Sequence, residues 1–140
     1  MAKTFKLEVI TPEKKLYSGE VEMVIIHTVE GEEGFEAGHT PACMMMDIGE
    51  LRFYEAGHKQ RIAVTTDGFA DFTNFGMVVF VSEAKFAEDI DVVSCAAREK
   101  ELNNLLADTK EMDETLVRQY NADLCHMRVS LKAAGKVGKK

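Results

Sequence analysis

The chain has 140 residues, 46% of them hydrophobic, and a formal net charge of −7. That balance describes a globular protein rather than a disordered one, and its acidity disfavours whole-chain attraction to nucleic acid or anionic lipid. No apolar run approaches the ~18–20 residues that span a bilayer, and residues 1–6 lack the apolar stretch of a secretory signal, so the expected place is the cytosol or a membrane complex facing it.

Short strands dominate the first ~85 residues. Phe5-Lys6-Leu7-Glu8-Val9 alternates apolar and polar residues, the period of a half-buried strand. Val21 to Thr28 is rich in β-branched residues. Gly31-Glu32-Glu33-Gly34-Phe35-Glu36-Ala37-Gly38-His39-Thr40-Pro41 then concentrates three glycines, a histidine and a proline. It reads as a shaped loop, the kind of segment in which function concentrates. Cys43-Met44-Met45-Met46 follows. Soft thioethers suit Cu(I), but a methionine run more often fills a strand at the core edge.

Leu51–Tyr54 and Arg61–Thr65 flank the turn signal Ala56-Gly57-His58. Phe69–Thr73 and Met77–Val81 flank Asn74-Phe75-Gly76. This spacing predicts about eight to ten strands, in an all-β sandwich or flattened barrel.

The period then changes. Asp89 and Asp91 are candidate N-caps for a helix whose stripe is Val92, Cys95/Ala96, Glu99, Leu102 and Leu106. Asn103-Asn104 and Ala107-Asp108-Thr109 weaken its end. A second helix, opened by Asp113-Glu114, carries Leu116, Tyr120, Leu124, Met127 and Leu131 and stops near Gly135. Together they predict an antiparallel helical hairpin. The expected domains are 1–87, a sandwich, and 88–140, the hairpin with a basic tail. Residues 124–140 hold five bases and no acid, namely Arg128, Lys132, Lys136, Lys139 and Lys140. Alone, such a run is equally a solvated terminus.

No enzyme motif is present. There is no nucleophile elbow, phosphate loop, zinc helix or dinucleotide fingerprint. His27, His39, His58 and His126 are scattered without metal spacing. Cys43, Cys95 and Cys125 lie far apart and read as small apolar side chains of a reducing compartment. Glu32 and His39 form an imaginable acid–base pair. A hydrogen bond from His39 to a nearby carbonyl is the simpler reading.

The pattern G-E-x-G-x-x-x-G-H-x-P, met at Gly31, Glu32, Gly34, Gly38, His39 and Pro41, resembles the epsilon subunit of bacterial F-type ATP synthase. Leu7–Pro12, Tyr17-Ser18-Gly19, Asp67-Gly68-Phe69 and Glu88-Asp89-Ile90-Asp91 match that family in order, over roughly residues 4–131. The resemblance implies a non-catalytic rotor subunit of the central stalk, at the cytoplasmic face of the bacterial plasma membrane. Its implied partners are the γ subunit, the membrane c-ring and the β subunits of the catalytic head. It implies ring contacts at Glu32, Glu33 and His39. Arg128 and Lys132 would meet the head when the hairpin extends and inhibits ATP hydrolysis.

The sequence also departs from that family. Ser94 and Cys95 replace the arginine and alanine of the ATP-binding I/L-D-x-x-R-A motif, and Glu101 and Leu124 stand where such members carry arginines. Glu36-Ala37 replaces an aromatic–proline pair, and Asp67 a glycine. Only Asp91 and Arg128 remain as nucleotide contacts, which predicts weak or absent ATP binding. No catalytic residue, metal or cofactor is expected. The alternative is a stand-alone sandwich module that senses ATP through its hairpin.

Overall fold

The computed structural model describes residues 3–107 and 112–137, and the basic residues Lys139 and Lys140, like Asp108 and Thr109, lie outside them. Its contacts divide the chain into two compact units, Met1–Phe86 and Ala87–Lys140.

One long strand organises the first unit. β1 (Phe5–Ile10) leads into β2 (Lys15–Thr28), which begins six residues before the β-branched run that announces it. The first half of β2 pairs antiparallel with β1. Its second half pairs with β3 (Gly31–Glu36) on one edge and β5 (Gly49–Glu55) on the other. Between Val21 and Met23 the register with β5 slips by one residue. This bulge lets both Val21 and Val24 point into the core despite their odd spacing. The displaced residue is Glu22, whose carboxylate meets His58 Nδ1 at 2.8 Å.

The remaining strands are β4 (Ala42–Met46), β6 (Lys59–Thr65), β7 (Gly68–Thr73), β8 (Gly76–Val81) and β9 (Ala84–Phe86). The order is β1-β8-β7-β4-β2-β5-β6-β9, and β1 also pairs with β2, so the path closes on itself. Among the described residues only β1 and β8 run parallel. The nine strands form the β-sandwich that the sequence spacing predicts. Phe5, Leu7 and Val9 of β1 alternate inward, and Val24, Ile26, Phe35, Leu51, Phe53, Phe72, Met77 and Val79 complete the core.

Gly68 shows why its turn signal is a glycine. A Cβ there would lie 2.0 Å from the Phe80 carbonyl oxygen, closer than any side chain tolerates.

The second unit opens with a 3-10 turn at Ala87–Asp89. α1 (Val92–Leu106) starts where the Asp91 carboxylate accepts from Ser94 N at 3.1 Å and from the Ser94 hydroxyl at 2.9 Å. Asp91 is therefore the N-cap, and Asp89 belongs to the 3-10 turn. α2 (Glu114–Lys136) is capped by Asp113, and the two helices form a hairpin. α2 ends at Lys136, one residue past Gly135, near which it was expected to stop.

The helical stripes bury less than their spacing promises. In α1 only Leu102 is buried. In α2 the buried residues are Leu124, Ser130, Ala133 and Ala134, while Leu116 is 38% exposed. Small side chains, invisible to an apolar count, take the places expected of Met127 and Leu131.

Candidate functional site

The segment expected as a shaped loop is half strand. Gly31–Glu36 is β3, joined to β2 by the two-residue turn Val29-Glu30. Phe35 points into the core and sets the alternation, which the glycines and acids of an exposed hairpin concealed. The turn is locked by Thr28, whose hydroxyl donates to the Gly31 carbonyl at 2.8 Å and accepts from Glu30 N at 3.1 Å. Gly31, at φ +120°, occupies backbone space that other residues rarely enter.

Successive strand residues face opposite ways, so Glu32 and Glu33 do not share a face. The Glu32 carboxylate pairs with Arg52 of β5. Glu33 stands exposed near the tip.

His39 lies beyond the other end of β3. Its ring packs on Phe35, centroids 4.6 Å apart, and edge-on to Phe72 at 5.5 Å. Nδ1 donates to the Thr40 carbonyl at 2.6 Å. A carbonyl can only accept, so Nδ1 carries the proton. The chain turns back after β3, with His39 N donating to the Glu36 carbonyl at 3.1 Å, so the ring lies against Phe35. Glu32, three residues before Phe35, faces the opposite way and pairs with Arg52, so Glu32 and His39 are not brought together as an acid–base pair.

The methionine run also splits by face. Met46 is buried, Met44 half-buried and Met45 75% exposed. Adjacent thioethers therefore point apart. Among the described residues no group of three or more His, Cys, Asp or Glu side chains is placed to hold a metal ion. Cys43, Cys95 and Cys125 are free thiols, Cys43 and Cys125 exposed and Cys95 half-buried.

Sequence reasoning missed a surface on the outer face of β4, β7, β8 and β1. Met45 pairs across to Phe69, Phe69 to Phe80, and Phe80 to Ile10. Phe69 and Phe80 are 44% and 39% exposed, with ring centroids 5.1 Å apart. A contiguous apolar row of this kind marks an interaction surface, whereas single exposed apolar residues do not. The signal was legible: each residue stands at a solvent-facing position of its strand, where a polar side chain is the norm.

In the hairpin, Arg128 and Lys132 stand one turn apart on α2, both exposed. Arg128 Nε lies 3.4 Å from Glu99 of α1, and its Nη2 donates to Asn103 Oδ1 at 3.4 Å. Glu99 is eight residues, about 12 Å of helix, beyond Asp91. Asp91 and Arg128 are therefore not gathered around one ligand position. The Asp91 carboxylate caps α1 through Ser94, at the position where a nucleotide-binding arginine was expected.

The chain matches the family model described as ATP synthase, Delta/Epsilon chain, beta-sandwich domain, over residues 4–87. It is 40% identical over 89 residues to the ATP synthase epsilon chain of Ruminiclostridium cellulolyticum, covering 64% of this chain and 66% of that one. To the ATP synthase epsilon chain, sodium ion specific, of Propionigenium modestum it is 35% identical over 117 residues, covering 83% and 84%. Among solved structures it resembles a chain of the Euglena gracilis mitochondrial ATP synthase (OSCP/F1/c-ring, rotational state 1). There the identity is 26% and the TM-score 0.79, over 94% of this chain and 81% of that chain.

Proposed function

The chain belongs to the ATP synthase epsilon chain family, a non-catalytic subunit of that complex, and from this membership we propose how it works. It sits in the central stalk and passes ion-driven rotation of the membrane c-ring to ATP synthesis in the catalytic head. The observation that carries this reading is the exposed row of Met45, Phe69 and Phe80, which offers the γ subunit an apolar face on a rigid sandwich.

The c-ring is met at the rim by Glu33, by Glu32 held against Arg52, and by His39. Such rim contacts contribute roughly 0.2–1 kcal/mol each and set orientation more than affinity. Arg128 and Lys132 meet acidic segments of the catalytic head when the hairpin extends, which inhibits ATP hydrolysis. The subunit is peripheral, at the cytoplasmic face of the bacterial plasma membrane. Among the described residues no helix is long and apolar enough to cross a membrane.

Two variants test the reading. Phe69→Glu combined with Phe80→Glu should abolish co-elution with γ while circular dichroism of the sandwich is unchanged. Binding at wild-type strength would show that γ docks elsewhere. Truncation after residue 87 should leave ATP synthesis coupled and relieve inhibition of hydrolysis, and unchanged hydrolysis would refute the regulatory half. ATP binds the hairpin weakly or not at all, because Ser94 stands in place of the arginine and Arg128 is engaged by Glu99. Micromolar affinity by calorimetry would overturn that.

A further inference from the structure

The helices of the second unit share little apolar surface, yet two guanidiniums cross between them in opposite directions. Arg128 of α2 reaches Glu99 of α1 at 3.4 Å. Arg98 of α1 reaches Asp123 of α2 at 3.7 Å and is steadied by Glu101 on its own helix at 2.8 Å. Along the two helices the paired residues lie within four positions of Leu102 or Leu124, the large buried side chains of α1 and α2. Asn103 adds a neutral hydrogen bond to Arg128.

We propose that these reciprocal ion pairs are a latch that holds the hairpin shut, and that Glu99 competes with the catalytic head for Arg128. The latch stands on the geometry of the hairpin alone, while the competition rests on the function proposed above. Every member of the latch is partly exposed, with Arg128 at 58% and Glu99 at 30%. Salt therefore screens it, since the Debye length shrinks from roughly 14 Å at 50 mM to about 4–5 Å at 500 mM. A seam built on a larger apolar core would be indifferent to the same change. While Arg128 is held by Glu99, its charge is spent within the hairpin. Opening the latch therefore both frees the helices and uncovers the cation that the head would bind.

The test is amide hydrogen exchange on the full chain, with sandwich amides as an internal control for folding. Raising NaCl from 50 to 500 mM should speed exchange in α1 and α2 about two- to ten-fold and leave the sandwich core unchanged. Glu99→Gln should produce part of that acceleration at low salt and blunt the salt response. Glu99→Arg and Arg128→Glu should each accelerate exchange, and the two together should restore protection by reversing the pair. Salt-independent exchange of the helices, or no restoration in the charge swap, overturns the latch. The competition is read separately, in the reconstituted complex. There Glu99→Gln should deepen inhibition of ATP hydrolysis several-fold. If exchange behaves as expected and hydrolysis does not change, the latch stands and the role of Arg128 at the head falls.

Discussion

Between Phe5 and Phe86 the sandwich gathers seventeen buried apolar residues into one cluster, whereas α1 and α2 bury two leucines, two alanines and a serine. The first unit is defined by packing. The second is defined by helix caps and exchangeable charges. In physical terms, the sandwich suits a part that must carry torque without deforming. A hairpin with so small a seam suits a part that changes its contacts.

The contrast can be broken by substitution. Phe53 is fully buried beside Tyr17 and Phe86, so Phe53→Ala should cost about 3–5 kcal/mol in denaturant melts of the sandwich. A loss below about 1 kcal/mol would mean that the sandwich core is far looser than its burial implies. Leu102→Ala should fall toward the lower end of the ~2–5 kcal/mol range, because neighbouring helix residues can close around the gap. Its loss should register in hydrogen exchange of α1 and α2 alone. If the sandwich melts with it, the two units are not energetically distinct.

Asp91→Ala removes the cap of α1 and should destabilise that helix by about 0.5–2 kcal/mol, seen as faster exchange of its first-turn amides. Unchanged exchange there would remove the caps from the account.

The smallest effect concerns Tyr17. Burial first, then its 2.8 Å hydrogen bond to the Glu55 carboxylate, pushes the phenol up to about 12 from an ordinary value of 10. The folded chain therefore keeps a proton that the unfolded chain loses. This contribution is complete below pH 10 and disappears as pH rises from 10 to 12. Ultraviolet titration should show a late-ionising phenol that is missing from Tyr17→Phe, and the same variant should flatten the alkaline fall in sandwich stability. An unchanged late phase in Tyr17→Phe, or no late phase in the wild-type chain, would refute the assignment.

The same contrast decided what the sequence revealed. Strands with strict alternation, such as Phe5–Val9, and turns such as Ala56-Gly57-His58 announced the sandwich because each local preference agreed with the fold. β3 stayed hidden because Phe35 is its only buried apolar residue and its glycines mimic a loop. The three-residue β9 is too short to show a period. The helical stripes were located, but Ser130, Ala133 and Ala134 carry too little hydrophobicity to mark the buried face of α2. Glu32, Glu33 and His39 were visible as residue types. Their separation along β3 was not, since it depends on the Val29-Glu30 turn and on which way Phe35 points. Met45, Phe69 and Phe80 are far apart in the chain and become neighbours only through the β4-β7-β8 pairing.

β1 is hydrogen-bonded along both edges, to β2 directly after it and to β8, where Leu7 pairs with Met77 seventy residues later. During synthesis the β1–β2 hairpin thus carries an unpaired edge until most of the sandwich has followed it. Closing so long a loop is slow, and an open edge in the meantime invites pairing with other chains. Assembly of the rotor from this subunit should accordingly be sensitive to how fast it is translated, and to whether a chaperone shields that edge until β8 arrives.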